Sequence, residues 1–315
     1  MNINTLKNKI SGVTYHYVRE FKSNKFKNIN YLELKKFKDQ INYLKKNFNV
    51  IKLEDILELN NDKKKYKKPF AFLTFDDGYY DHYKYVLPVL DKFKLQGLFF
   101  PPVKIFEKEF ILDVNKIQFV IASVKNKRKL LSEIENFCFK RFQIDLKKIN
   151  FSNFKMNDRY DTEELSFIKK LLQFILPKKV RYITNDYLFK KYVTKDYEEF
   201  RKKLYLNEDN INEMINFGMH FGSHSTNHEW MQYLNKDDQE KEISKSINFL
   251  SKKFKLNKDY YSFCYPYGSY NKNTIRILKK YKFKIGFTTK PYAFERNKKN
   301  DLYSFPRFDT NDFRQ

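Results

Sequence analysis

The segment PFAFLTFDDG, residues 69–78, determines the fold of this 315-residue chain more than any other. Residues 69–75 form a nearly continuous apolar run that begins with a proline. Central strands of parallel sheets have this composition because both of their faces are buried, and proline is tolerated at the first position of a strand. The run stops at Asp76, Asp77 and Gly78. We therefore predict a buried parallel strand with two carboxylates at its carboxyl end.

Helices and strands alternate on both sides of this strand. A helix predicted over 79–96, with Gly97 after its end, leads to a strand at 98–100, which completes a βαβ unit. Upstream, a helix is predicted to begin at Asn30, with Glu33 at the capping-box spacing. The other predicted strands are 13–18, 50–51, 217–223, 260–264, 285–289 and 302–308, and the other predicted helices are 53–59, 236–254 and 271–281.

The middle of the chain has a different pattern. Over 104–216 apolar residues recur at the three- and four-residue spacing of helices, and no buried strand stands out. The sequence therefore predicts an α/β domain built from 1–103 and 217–315 and interrupted by a mainly helical insertion at 104–216. The role of the insertion stays open between a lid, a substrate-binding wall and a dimer surface.

Composition excludes several classes of protein. Aromatic residues make up 18% of the chain, which excludes global disorder, and 2 cysteines are too few for a disulfide framework. Lys and Arg exceed Asp and Glu by 63 to 38, and the net charge of +25 would favour phosphates, acidic glycans or anionic lipid heads. Because lysine is spread along the whole chain without a nucleic-acid-binding motif, we expect no nucleic-acid partner.

Cellular location is predicted from the absence of export and membrane signals. The amino-terminal residues lack the apolar core and cleavage site of a signal peptide. No stretch approaches the roughly 20 apolar residues of a membrane span. We therefore predict a cytoplasmic protein with no transmembrane segment. A peripheral contact with an anionic membrane surface stays open.

The adjacent aspartates are costly at the end of an apolar strand. Packed carboxylates repel one another, and burial opposes the ionisation of both. A metal ion removes this cost if Asp77 or Asp76 binds it while the other carboxylate acts as a base. An ordinary Asp-Asp-Gly turn explains the same residues equally well.

Two further segments follow predicted strands. Two of the 5 histidines, His224 and His228, lie four positions apart, and on a helical turn such residues share a face and could bind one ion such as zinc. Two unrelated polar residues on a loop would have the same spacing. In the segment 263–270, Pro266 and Gly268 predict a rigid turn whose backbone N–H groups point into a cleft, unless the turn is only structural.

Together these segments resemble the motifs of the polysaccharide deacetylase family, the carbohydrate esterase group with the NodB-homology domain. Residues 74–78 match its TFDDG motif, and 224–228 match its H-S/T-x-x-H motif. Residues 265–268 are similar to a Y-P-Y-G variant of its third motif. Tyr15-His16 resembles a Y-H pair near the amino terminus of some members.

The resemblance covers about 13–103 and 217–310 and implies a distorted (β/α)7-type barrel. It also implies a hydrolase with one divalent metal ion, Zn²⁺ first, with Co²⁺, Ni²⁺ or Mn²⁺ as alternatives. The implied general base is Asp76, and the Tyr267 backbone N–H would stabilise the oxyanion. The implied metal ligands are Asp77, His224 and His228, and the residues implied to line the substrate site are Tyr265, Pro266 and Asp309.

The chain departs from the family pattern at two places. The commonest third motif has an arginine that orients the base where this chain has Cys264, and we expect Arg307 to take over that role. The late Leu-x-His motif, which supplies the general acid, is absent because no histidine follows His228. We expect His16 to replace it, with a hydrogen-bonded core imidazole as the other interpretation.

We further predict His82 on a helix surface, His220 as structural, and Cys264 as a small buried hydrophobe.

The first hypothesis for function is a metal-dependent carbohydrate N-deacetylase that removes an acyl group, expected to be acetyl, from a sugar. A nucleotide- or lipid-linked precursor of surface-polysaccharide biosynthesis would suit the positive charge of the chain. The alternatives are a non-catalytic carbohydrate-binding member of the same fold and a polyanion-binding protein. The sugar, the native metal and the oligomeric state stay open.

Overall fold

The computed structural model describes residues 3–20, 26, 28–59, 64, 66–149, 161–296 and 301–312. The chain forms two compact units. The first, called here the barrel unit, comprises Met1–Asn24, Asn30–Phe110 and Arg201–Gln315. The second, the helical unit, comprises Lys25–Ile29 and Ile111–Phe200. Both ends of the predicted insertion 104–216 therefore belong to the barrel unit.

The strands of the described residues all lie in the barrel unit. They are β1 Lys9–Tyr15, β2 Val18–Arg19, β3 Leu32–Glu33, β4 Asn49–Val50, β5 Phe70–Asp76, β6 Gly97–Phe100, β7 His220–Phe221, β8 Ser262–Cys264, β9 Ile285–Phe287, β10 Phe294–Glu295 and β11 Arg307–Asp309. Regular parallel pairing joins β11 to β1, β1 to β5, β5 to β6, β6 to β7, and β8 to β9.

Two isolated parallel bridges close the remaining gaps in this ring of strands. Ser223, just after β7, pairs with Phe263 of β8, and Phe287 of β9 pairs with Phe305, just before β11. The circuit of β1, β5, β6, β7, β8, β9 and β11 is the distorted (β/α)7-type barrel that the resemblance implied. Because the strands are parallel, their carboxyl ends meet at one rim.

Strand β5 lies at the centre of the sheet, and all of its residues are buried. This confirms the prediction from the apolar run at 69–75. The ring of Phe75 stacks on Tyr15 of β1 at 5.2 Å and on Phe99 of β6 at 4.7 Å between ring centroids. Aromatic packing on both neighbouring strands therefore fixes the end of β5, where the two aspartates follow.

The helices are α1 Leu34–Asn47, α2 Leu53–Leu59, α3 Leu87–Phe93, α4 Asp113–Ser123, α5 Lys127–Phe142, α6 Glu163–Lys170, α7 Lys178–Tyr192, α8 Tyr197–Leu204, α9 Glu208–Asn216, α10 Lys236–Phe254 and α11 Lys272–Lys280. The predicted helices at 53–59 and 236–254 are confirmed, and Asn271 caps α11 in a capping box with Thr274. The predicted start at Asn30 is wrong. Residues 32–33 pair with β2 as strand β3, and the side chain of Glu33 makes no capping hydrogen bond.

The helix predicted over 79–96 is shorter in the structure. A π-helical turn at His82–Val86 leads into α3, and Lys94, with φ of 52°, ends that helix in the left-handed conformation. Gly97 is the first residue of β6 rather than a helix cap. A Cβ atom at this position would lie 2.7 Å from the side chains of Leu90 and Phe99, so close packing explains the glycine.

Strands near the rim are also shorter than predicted. The strand predicted at 217–223 is reduced to β7, because a bridge at Ser223 rather than regular pairing continues it. The strand predicted at 302–308 begins only at Arg307, because Leu302–Ser304 form a 3₁₀ turn. The rim therefore consists largely of loops, which is where functional residues concentrate in barrels of this type.

The regular structure in the described residues of the helical unit is entirely helical. Helix α7 packs against α4 and α5. Edge-to-face contacts join Phe200 to Phe119 at 4.9 Å and to Phe189 at 5.1 Å. The part of the predicted insertion at 150–160 lies outside the described residues. Across the described chain, no helix combines the length and apolar character that crossing a membrane requires.

Candidate active site at the carboxyl ends of the strands

The chain changes direction sharply at the end of β5. Asp76 is the last residue of the strand, and both Asp77 and Gly78 have positive φ values, 71° and 67°. A positive φ is uncommon for a non-glycine residue and is concentrated at functional sites. The two positive φ values at Asp77 and Gly78 account for the change of direction.

Asp77 lies next to the two motif histidines. Its Oδ1 atom is 3.4 Å from Nε2 of His224 and 3.2 Å from Nε2 of His228. All three side chains are buried, and their ligand atoms lie within 4.8 Å of one another. The structure therefore brings together the three residues that the resemblance named as metal ligands.

The segment between the two histidines is a loop and not a helical turn, the first of the two interpretations of their spacing. Ser225 and His228 both have positive φ values, 63° and 59°. The two imidazole rings meet edge to face with centroids 4.8 Å apart. The left-handed residues, and not a helical face, bring the rings together.

The donor atoms of this cluster fit a divalent cation. Nδ1 of His224 donates a hydrogen bond of 2.7 Å to the Cys264 carbonyl, which leaves the lone pair of Nε2 directed at the cluster. Oδ1 of Asp77 is buried and receives no hydrogen bond from any described residue. Its other oxygen, Oδ2, accepts a hydrogen bond of 2.7 Å from Tyr79 Oη. One carboxylate and two imidazoles form a common zinc ligand set in hydrolases.

Asp76 has a different partner. Arg307, at the start of β11, donates two parallel hydrogen bonds to its carboxylate, at 3.0 and 2.9 Å. The same guanidinium donates to Thr74 Oγ1 at 2.9 Å and to the Thr288 carbonyl at 3.0 Å. Both Asp76 and Arg307 are buried. This bidentate geometry fixes the orientation of the carboxylate as well as its charge.

The two carboxylates remain ionised despite their burial. Burial raises the pKa of Asp76, but the Arg307 guanidinium outweighs this effect and holds the pKa at about 2. Burial also raises the pKa of Asp77, but contacts with the two imidazoles hold that pKa well below its usual range.

The two imidazoles respond differently to this environment. Burial lowers the pKa of both, yet Cys264 and Asp77 raise that of His224 well above its ordinary value, whereas burial prevails at His228. The cluster therefore attracts positive charge, whether a proton or a metal ion.

Cys264 is more than the buried hydrophobe that we predicted. Its thiol donates to Asp76 Oδ2 at 3.3 Å, and its sulfur accepts from Arg307 at 3.1 Å. Its carbonyl is the partner of His224. Cys264 of β8 therefore contacts both the Asp76–Arg307 pair and the cluster of Asp77, His224 and His228.

His16 lies just beyond the end of β1. It is close enough to both aspartates for a positive charge on its ring to lower their pKa values. Its carbonyl accepts a hydrogen bond of 2.9 Å from Nε2 of His82. His82 was predicted on a helix surface, and that prediction is wrong. It is fully buried, and burial lowers its pKa to about 4.

The turn after β8 brings Tyr267 to the histidines. Its ring lies edge to face with His228 at 4.6 Å and stacks on Trp230 at 4.5 Å. Tyr267 has a φ of 57°, followed by Gly268 at 67°. A Cβ atom on Gly268 would lie 2.2 Å from Thr289 Oγ1, so only glycine fits there. Pro266 is buried at the first position of this turn.

Two residues implied to line the substrate site are engaged elsewhere. The ring of Tyr265 is buried, packs against Gly286 and donates a hydrogen bond of 2.8 Å to the Tyr303 carbonyl. Asp309 accepts a hydrogen bond from the backbone N–H of Asn311 at 2.8 Å, and thus stabilises the turn after β11. Neither side chain belongs to the Asp77-His224-His228 cluster or to the Asp76–Arg307 pair.

Sequence analysis missed the residues that orient these groups. Tyr79 donates a hydrogen bond to one oxygen of Asp77, and His82 donates a hydrogen bond to the backbone carbonyl of His16. The sequence signal for Tyr79 is its position directly after the Asp-Asp-Gly turn. The contact between His82 and His16 spans 66 positions and has no local signal.

Taken together, the fold and the site define a β/α barrel with an Asp-His-His cluster that could hold a metal ion at the carboxyl ends of its strands. A sequence model described as polysaccharide deacetylase matches residues 63–127 and 171–286, which is more than half of the chain. The chain belongs to the polysaccharide deacetylase family. No curated protein matches the chain.

Several solved structures share the fold. The Streptococcus pyogenes deacetylase PplD, solved in complex with acetate, has a TM-score of 0.60 at 17% identity, over 96% of this chain and 92% of that chain. IcaB from Ammonifex degensii has a TM-score of 0.56 at 15% identity, over 97% and 93%. The deacetylase domain of BpsB from Bordetella bronchiseptica has a TM-score of 0.54 at 13% identity, over 96% of both chains. At these identities the likeness concerns the fold.

Proposed function

We propose that this protein is a metal-dependent carbohydrate N-deacetylase, an amide hydrolase that releases acetate from an N-acetylated sugar. The observation that carries the proposal is the separation of two neighbouring carboxylates. Asp77 faces the imidazoles of His224 and His228, whereas Asp76 is held ionised by Arg307. Hydrolysis of an amide needs both an electrophile and a base, and the site offers a place for each.

Asp77, His224 and His228 would hold the metal ion, and Zn²⁺ suits their oxygen and nitrogen donors best. Co²⁺, Ni²⁺ and Mn²⁺ are the alternatives. A divalent ion bound there supplies Lewis acidity for the acyl carbonyl and lowers the pKa of water. Tyr79 fixes the orientation of Asp77 through the hydrogen bond to its second oxygen.

Asp76 is proposed as the general base that takes a proton from the attacking water. Arg307 donates to both oxygens and the Cys264 thiol donates to Oδ2, which leaves one lone pair of Oδ1 available. The Tyr267 backbone N–H is proposed to donate to the oxyanion of the tetrahedral intermediate. His16 is proposed to protonate the departing sugar amine, because it follows the carboxyl end of β1 and is near enough to both aspartates to interact with them. Pro266 supports this arrangement by fixing the turn that carries Tyr267.

The proposed substrate is an N-acetylated sugar linked to a nucleotide or a lipid, as a precursor of surface-polysaccharide biosynthesis. The net charge of +25 supports an anionic carrier such as a diphosphate. A cytoplasmic location is proposed with it, supported by the two unpaired cysteines, Cys138 and Cys264.

The test measures acetate release from N-acetylglucosamine oligomers and from UDP-N-acetylglucosamine, with metal-free protein and after addition of Zn²⁺ or Co²⁺. We expect metal-dependent release that falls about 10²–10⁴-fold in Asp76→Asn. Binding of the sugars without acetate release under any metal would contradict the proposal and favour the non-catalytic carbohydrate-binding alternative. Binding to nucleic acid without metal would favour the polyanion-binding alternative.

A further inference from the structure

The loop that carries the two histidines is conformationally strained. Ser225 and His228 are both non-glycine residues in the left-handed region, with φ of 63° and 59°. A non-glycine residue in this region is strained and persists only where its surroundings stabilise it. The loop must therefore be held from outside.

Helix α10 stabilises the loop through the buried carboxylate of Glu242. Oε2 of Glu242 accepts hydrogen bonds from the backbone N–H groups of Thr226 at 3.0 Å and Asn227 at 2.7 Å. Its Oε1 accepts from the side-chain amide of Asn227. The backbone carbonyl of Glu242 accepts from Thr226 Oγ1 at 2.9 Å. Both residues that separate the strained positions are thus bound to a single residue of α10.

One turn further along α10, Ser246 holds the start of the same loop. Its hydroxyl forms a hydrogen bond of 2.5 Å with Ser223 Oγ, which accepts from the Ser225 backbone N–H at 3.3 Å. Within the loop, the His228 backbone N–H donates to Ser225 Oγ at 3.1 Å. The hydrogen bonds run without a gap from α10 to the backbone of His228.

We propose that Glu242 is the positioning residue that keeps the imidazole of His228 facing Asp77, and that it thereby sets the metal affinity of the site. The inference rests on the proposed function. Without the carboxylate, the buried N–H group of Thr226 and the partly buried N–H group of Asn227 lose their acceptor, and the strain at Ser225 and His228 is no longer opposed. Outer partners of metal ligands typically contribute about 10–100-fold to metal affinity.

The experiment compares Glu242→Gln with Glu240→Gln. Glutamine has the shape of glutamate but no charge and only one acceptor oxygen, so its NH₂ group must replace one of the two oxygens that accept from the loop. Glu240 lies on the same helix, but its carboxylate pairs with Lys280 and Tyr281 instead of the loop. The dissociation constants of Zn²⁺ and Co²⁺ are measured on the metal-free proteins by competition with a chelator. We expect about 10–100-fold weaker binding in Glu242→Gln and no change in Glu240→Gln.

A double-mutant cycle with Asn227→Ala separates positioning from general stability. If Glu242 acts through the loop, Glu242→Gln weakens metal binding less in the Asn227→Ala background than in the wild type. Equal metal affinity of the wild type and Glu242→Gln would overturn this inference alone. Failure of the wild type to bind any divalent ion would overturn the proposed function as well. If Glu242→Gln does not fold, Asn227→Ala alone must still weaken the binding a few-fold, because it removes the donor to Oε1.

Discussion

Asp76 and Asp77 are consecutive in the chain, yet they belong to two clusters of opposite character. The metal cluster of Asp77, His224 and His228 gathers lone pairs around a buried oxygen that receives no hydrogen bond from the described residues. The base cluster of Asp76 and Arg307 contains its own positive charge, in hydrogen bonds of 3.0 and 2.9 Å. The metal cluster offers lone pairs that could bind a cation, whereas the base cluster already contains its own cation, Arg307.

The difference between the partners of Asp76 and Asp77 explains how two adjacent buried carboxylates can both stay ionised. Two carboxylates that share one environment repel, and one of them takes up a proton. Here the positive φ of 71° at Asp77 separates the environments of the two side chains. We therefore expect that loss of the metal leaves the base cluster intact, and that loss of the base leaves the metal bound.

The largest effect is expected for His228→Ala. This variant removes one ligand of the metal cluster, so the metal and all measurable turnover should be lost while the fold remains. Metal content after dialysis and acetate release are the measurements. His220→Asn is the matched control, because His220 forms its hydrogen bond with Ser262 outside the cluster. Full metal content in His228→Ala would contradict the ligand assignment.

Asp76→Asn should keep the metal but lower turnover by about 10²–10⁴-fold, the usual contribution of general base catalysis. It also leaves Arg307 as a buried unpaired charge, which costs about 3–5 kcal/mol of folding free energy. Asp81→Asn is the control, because it breaks another buried pair, with Arg19 at 2.6 Å, that includes no residue of the two clusters. A comparable fall in melting temperature with normal turnover is expected for Asp81→Asn. Normal turnover in Asp76→Asn would exclude Asp76 as the base.

His16→Ala should lower amide hydrolysis by about 10²–10⁴-fold if His16 protonates the leaving amine. An aryl acetate, whose leaving group needs no proton, should be hydrolysed at nearly the wild-type rate. The measurement is the ratio of the two activities in each protein. An equal loss on both substrates would show that His16 has only a structural role as a core imidazole.

The smallest effect is expected for Arg307→Met, and it should depend on pH. Arg307 holds the pKa of Asp76 at about 2, so the wild-type base stays ionised from neutral pH far into the acid range. Without the guanidinium, burial raises this pKa, and protonation of the base begins at higher pH. Relative to the wild type, kcat/KM should therefore fall about 10-fold between about pH 7 and pH 5.

Two variants control the experiment on Arg307. Arg307→Lys should restore part of the activity at low pH, because it restores the charge. Arg296→Met removes another buried arginine, which donates to the Leu59 and Lys64 carbonyls, and its activity ratio should not change with pH. A ratio independent of pH in Arg307→Met would show that Arg307 does not tune the base.

The fold was largely predictable because its central strands carry strong local patterns. The apolar run before Asp76 and the periodic helix at 236–254 needed no tertiary information. The prediction was wrong for the start of α1 and for the ends of the helix predicted over 79–96, which is shorter in the structure. Before α1, residues 32–33 pair as a strand with residues 18–19, and no local sequence pattern indicates this pairing. Element ends depend on such distant partners, whereas element centres depend on their own residues.

By itself, the sequence determined which chemical groups this protein has and after which strands they lie. Apolar runs and turn residues are local properties, so both could be read from the sequence. Only the tertiary structure decided which groups meet. It joined Arg307 to Asp76 across 231 positions and the thiol of Cys264 to Asp76 across 188 positions. It also turned Tyr265 into the core. The physical reason is that closure of a parallel barrel brings the ends of distant strands to one rim, and no local pattern encodes that distance.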